Sequence, residues 1–175
     1  MDHSAAPLPQ PQPSQSTPPS PSLQPSPLRV VLDSNVWIDI LVFDDPATRP
    51  IHAALEARTL EALIDRRCLR ELTHVLDYPQ FVRMDVDARA ALATVARLTT
   101  LVETNLAEDA PPLPKCKDRD DQKFLELAHA SGAHWLVSKD RAVLKLARRV
   151  ARDFGFRIAE PKPFVHELEA AAAIG

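Results

Sequence analysis

The residues best suited to chemistry are carboxylates that directly follow short apolar runs. Asp33 follows RVVL, and Asp140 follows HWLVS by one lysine. Each would therefore sit at the carboxyl end of a buried strand, where an ionised carboxylate is costly unless it is paired, hydrogen-bonded or bound to a cation. Asp118, Asp120 and Asp121 gather at a predicted helix start, and Glu71 lies in another helix that begins soon after a strand. If the helices bring these acids to one edge, the site is rich in oxygen ligands and lacks His and Cys. Hard oxygen ligands select Mg²⁺ or Mn²⁺, which keep several waters and bind phosphate oxygens directly. One or two such ions would orient and activate a water for in-line attack on a phosphodiester and stabilise charge on the leaving oxygen. Taken singly, each acid has a plainer reading, because an Asp before a helix is usually a cap and a Glu on a charged helix is usually solvated. Their joint placement is what argues for a site.

Positioning those acids requires alternating strands and helices. Residues 28–32 (LRVVL) are apolar, β-branched and short, as a buried strand should be, and Asp33-Ser34-Asn35 can cap a following helix. The pattern continues with a helix over 47–57, a strand over 60–64, and a helix capped by Asp65 that runs to about Leu76 and ends at the Tyr78-Pro79 step. A helix over 86–98, a strand over 100–103 and a proline-rich loop at 111–114 follow. The segment DRDDQKFLELAHA opens a helix with its aspartates and stops at Gly132. Beyond it come a strand at 134–138, a basic helix at 141–153, a strand at 156–159 and a closing helix at 163–171. This order predicts a three-layer α/β/α fold around a central, mainly parallel sheet, with its site just beyond the strand carboxyl ends.

The chain has 175 residues, 45% hydrophobic and 26% charged, which suits one domain with a sizeable core. Residues 1–27 hold nine of the 17 prolines among Ser and Gln. They read as a disordered tail before a folded domain over 28–175. No apolar stretch is long and charge-free enough to span a membrane, and the opening MDHSAAPLPQ lacks the pattern of a secretory signal, so a cytoplasmic location is expected. Cys68 and Cys116 stand far apart, as reduced thiols rather than ligands.

The net charge of −3 hides a division along the chain. Residues 115–157 carry eleven Lys or Arg against six Asp or Glu, whereas residues 28–114 carry nine against fourteen. A phosphate-cutting site needs cations for the polyanion beside carboxylates for the metal, although ordinary solvated helix faces give the same pattern. Lys139, Arg141, Lys145 and Arg148, with Arg149 and Arg152, lie beside Asp140 and could face an RNA backbone. His52, His74, His129 and His134 have no paired metal spacing, Trp37 and Trp135 read as core, and Asp39, Asp44 and Asp45 as solvated or capping.

The segment VVLDSNVWIDIL at 30–41 resembles the opening of the PIN-domain family, in which a strand ends in Asp-Thr-Asn or Asp-Ser-Asn. DRRCLRELTHVLDYPQF at 65–81 resembles the helix that carries the family's glutamate. DRDDQKFLELAHASGAHWLVSKDRAVL at 118–144 resembles its third and fourth motifs, an acid at a helix start and an acid after a strand that ends in a small hydroxyl residue. The likeness runs from Leu28 to about Phe164. It implies a metal-dependent ribonuclease in which Asp33, Glu71, Asp121 and Asp140 bind the Mg²⁺ or Mn²⁺, with Asp118 the rival to Asp121 and with Ser34, Asn35 and Ser138 as supporting polar groups. DRDDQKFLELA is most similar to toxin components of bacterial toxin–antitoxin pairs. Such toxins are typically Mg²⁺-dependent endoribonucleases, neutralised by a small antitoxin protein and often homodimeric. The helix expected at 141–153 and the proline tail depart from that compact pattern.

Two other readings compete. A strand ending in Asp also opens the haloacid-dehalogenase phosphatases, but these need a second Asp two residues on as general acid, and that position is Asn35. A catalytically silent module of the same fold, binding RNA or a protein, is disfavoured because all four acidic positions are filled.

Overall fold

The structure, a computed structural model, describes residues 26–174. The expected disordered tail lies, but for Ser26 and Pro27, outside the described residues. Five strands, β1 (Leu28–Leu32), β2 (Leu60–Ile64), β3 (Thr99–Leu101), β4 (Trp135–Val137) and β5 (Arg157–Ala159), form one sheet in the order β3-β2-β1-β4-β5. Every pairing is parallel. Helices cover the sheet to give the expected three-layer α/β/α arrangement.

β1 is central because its sequence allows burial from both sides. Val30 and Val31 have no exposed surface and Leu32 almost none, as expected for a strand inside a parallel sheet. Strand order reverses beside β1, between β2 and β4, and such a switch point opens a crevice at the strand carboxyl ends. The register Leu32↔Val137 sets the residues following β1 and β4 side by side. Asp33 and Ser138, 105 residues apart, thereby become neighbours.

Four helices carry the candidate residues to this edge: α1 (Ser34–Ile38), α3 (Arg66–Leu76), α6 (Gln122–Ala130) and α7 (Arg141–Leu144). α1 passes directly into a π-helical turn, Asp39–Phe43. Between α1 and α3 lies α2 (Arg49–Glu56), and α3 is followed by α4 (Pro79–Arg83) and α5 (Ala88–Leu98). α8 (Ala147–Asp153) and α9 (Pro161–Ile174) complete the chain. α3 shows how sequence sets such a helix. Asp65 caps it through the Cys68 amide at 2.8 Å, and Cys68, Leu72 and Leu76, spaced by four, are its buried stripe.

Three expectations need correction. The basic segment 141–153 is not one helix but α7 and α8, parted at Lys145 and Leu146. The Leu146 amide bonds the Val143 carbonyl at 3.0 Å, a tight i→i−3 turn that interrupts the α pattern. Of the three aspartates expected at a helix start, Asp121 is the N-cap of α6, which begins at Gln122, while Asp118 and Asp120 lie in the turn before it. The Tyr78-Pro79 step ends α3 but also opens α4, because proline at the first helical position gives up an amide that would have no partner. Among the described residues, no helix is long and apolar enough to cross a membrane.

Candidate active site

Asp33 lies at the centre of the crevice, with only 4% of its surface exposed. One carboxylate oxygen caps α1 through the Val36 amide at 3.0 Å, and the other accepts from the Ser138 hydroxyl. The Lys139 and Asn35 amides also favour its charged form. Burial nonetheless outweighs these donors and holds the Asp33 carboxyl above its ordinary range. Ser138 in turn accepts from the Asp140 amide at 3.0 Å, so one hydroxyl joins the end of β1 to the start of α7.

Asp65 provides an internal control. It too follows a buried strand, caps a helix and is almost inaccessible, at 3% exposed. Its burial is overcome by the Cys68 amide, the Thr104 hydroxyl at 2.7 Å and the Arg67 guanidinium at 3.1 Å, and its carboxyl falls below the usual range. Asp33 has no such cation. Among the described residues no Lys, Arg or His forms an ion pair with Asp33, Asp118, Asp121 or Asp140.

Asp121, directly before α6, is half-buried, whereas Asp118 and Asp120 are exposed. Partial burial, and then the charges of Asp140, Asp118, Asp33 and Glu71 in that order, push its carboxyl up to about 6. These acids therefore share one electrostatic neighbourhood, and of the three at this turn Asp121 is the one set inward. Asp118 turns back to accept from the Asp120 amide at 2.9 Å. Asp140 caps α7 through the Ala142 and Val143 amides at 2.6 and 3.3 Å. Glu71, on α3, accepts from the Ser34 hydroxyl at 2.7 Å and pairs with Lys123 of α6.

Among the described residues, no group of three or more His, Cys, Asp or Glu side chains already closes around a point that could hold a metal. The reason is local: Glu71 is drawn to Ser34 and Lys123, while Asp33 and Asp140 spend oxygens on helix amides. The donor set still suits a hard divalent cation. Mg²⁺ keeps most of its waters and needs only one or two carboxylates. Asp33, raised by burial, and Asp121, raised by burial and by its acidic neighbours, supply the charge it would neutralise.

The remaining residues divide. Ser34 and Ser138 are buried, and each donates its hydroxyl to an acid, Glu71 and Asp33 respectively. Asn35 is exposed, and what it supplies to Asp33 is its amide. Lys139 is not free for RNA: its ammonium pairs at 2.5 Å with Asp39, which is buried rather than solvated. Arg141 and Lys145 line a groove of about 480 Å³ with Asp118, Asp140, Lys117 and Arg119, while Arg148, on α8, lies outside it. Two contributors went unrecognised in the sequence. Lys123 is the cation of Glu71, and Asp39 anchors the loop after β4 through Lys139. Lys123 had one legible signal, a cation two positions after Asp121 on the first turn of α6.

Comparison with known proteins bears on the same residues. A family model described as a PIN domain matches residues 29–142, a span that holds all four acids. No curated protein matches the chain. Among solved structures, the crystal structure of PAE2754 from Pyrobaculum aerophilum is similar at 18% identity, covering 82% of this chain and 96% of that one with a TM-score of 0.48.

Proposed function

This chain belongs to the PIN-domain family, and on that premise we propose that it is a divalent-metal-dependent endoribonuclease whose site is built on Asp33, Glu71, Asp121 and Asp140. PIN domains are generally metal-dependent nucleases that use Mg²⁺ or Mn²⁺. The observation that supports this reading best is the contrast between Asp33 and Asp65. A helix cap is worth about 1 kcal/mol, whereas taking an ion out of water costs several kcal/mol. Capping alone therefore does not account for a buried Asp33 without a cation.

In this reading Asp33, Glu71, Asp121 and Asp140 would hold the ion. A bound Mg²⁺ or Mn²⁺ supplies water activation and offsets charge on the leaving oxygen. The Ser138 hydroxyl fixes the angle of Asp33 and, through the Asp140 amide, the start of α7. Ser34 orients Glu71 while Lys123 balances its charge. Arg141 and Lys145 line one groove with Asp140 and Asp118, and they would take backbone phosphates near the cut.

Purified protein is expected to cleave single-stranded RNA in Mg²⁺ or Mn²⁺ and to stop when EDTA is added. Cleavage that persists in EDTA, or none in either metal, rejects the assignment. The toxin role, with a small antitoxin partner and a homodimeric state, is part of the proposal and rests on the DRDDQKFLELA likeness. Induced expression in bacteria should then arrest growth, with relief from the small protein encoded next to it. Normal growth at high levels of soluble protein rejects the toxin role and leaves the nuclease intact.

A further inference from the structure

We propose that Arg70, His74 and Tyr78 form a seat for an unpaired nucleobase next to the phosphate being cut, a reading that rests on the nuclease assignment above. Arg70 and His74 lie one turn apart on α3, Tyr78 follows just beyond its end, and all three line one groove with Glu71. That groove is about 710 Å³, and Asp121 and Lys123 also line it. The groove thus leads directly from the candidate acids onto this aromatic and cationic surface.

Three features of the seat match nucleic acid. Tyr78 is exposed, at 38%, whereas Trp37, Trp135, Phe124, Phe156 and Phe164 are buried in the core. Its ring meets His74 edge to face, with centroids 5.5 Å apart and planes at 85°. That arrangement leaves at least one aromatic face open to a further flat partner. Arg70 is exposed and, among the described residues, forms no ion pair, although Arg66 and Arg67 one turn back both do. A free guanidinium beside an open ring can hold a phosphate while the base stacks. Only a splayed base reaches such a ring, so the seat favours single-stranded over duplex RNA, with little preference among bases.

The test uses the full-length protein and a short single-stranded RNA carrying 2-aminopurine, whose fluorescence is quenched by stacking. With the Asp33→Asn protein in Mg²⁺, so that RNA stays intact, binding should quench the probe. Adding Tyr78→Phe should preserve the quench. Tyr78→Ala, or Tyr78→Leu where apolar volume must be kept for folding, should remove it and weaken binding on the order of tenfold, the size of one base–aromatic stack. Duplex RNA should bind all variants alike. In the cleaving protein, Tyr78→Leu should raise KM for the single strand by a similar factor with little change in kcat. Unchanged quench and affinity in Tyr78→Leu overturn the seat, and a duplex that loses as much binding points instead to general damage or to a surface for a protein partner, which also overturns it. If wild type fails to cleave but Tyr78→Leu still loses the quench, the nuclease assignment falls and the seat stands. If wild type cleaves and the quench persists, the seat alone falls.

Discussion

Asp33→Asn is expected to abolish RNA cleavage in Mg²⁺ while leaving the folded protein at least as stable as the wild type. Asparagine caps a helix as well as aspartate does, so the Val36 amide keeps its partner. The oxygen that faced Ser138 becomes an amide NH2 that can donate to the Ser138 hydroxyl oxygen, and the substitution removes a buried charge that burial already disfavours. What is lost is a carboxylate for the metal. Losing a supporting partner of a metal ligand typically costs about 10–100-fold, so losing a ligand itself should cost more than a hundredfold in kcat/KM. Thermal unfolding and cleavage, measured on one preparation, check both halves. A Tm that falls with activity would show that Asp33 is chiefly a structural cap.

Asp121→Asn should produce the second large effect, and with it a pH signature. In the folded chain the Asp121 carboxyl is pushed up to about 6 from its ordinary 3.8, first by burial and then by Asp140, Asp118, Asp33 and Glu71. Between those values the folded state holds a proton that the unfolded state has released, so stability falls as pH rises from about 4 to about 6. Below that window both states are protonated, and above it the full cost is present. In metal-free buffer, Asp121→Asn should flatten this part of the stability profile and raise Tm at pH 7. Because its side chain makes no capping bond, the substitution forfeits no cap. Cleavage should fall sharply with the loss of the carboxylate, and wild-type cleavage should decline below about pH 6, where protons compete with the metal for it. An Asp121→Asn protein with wild-type cleavage would move the role to Asp118.

Features set by local chemistry were legible in the sequence. Strands 28–32 and 60–64 form where apolar, β-branched runs end at a capping aspartate. α3 ends within a residue of its expected limit, because its cap and its apolar stripe agree. The Asp33 neighbourhood could be anticipated because a carboxylate at the end of a buried strand demands an explanation. Features set by long-range contacts were not legible. Nothing near residue 39 marks Asp39 as the partner of Lys139, a hundred positions away. The break between α7 and α8 was hidden because residues 141–153 keep helical composition across it. For the same reason, the sequence could not show that Lys139 is engaged and Arg141 is not, since charge alone does not reveal pairing.

The single hydroxyl that links Ser138 to Asp33 also has a consequence for protein synthesis. β1 leaves the ribosome first, but one of its two partner strands, β4, is made more than a hundred residues later. Until β4 inserts, β1 keeps an open edge able to pair with other chains, and Asp33 lacks both Ser138 and the turn that carries Asp140. Any product that stops before residue 138 therefore lacks Ser138 and Asp140, two groups of the candidate site.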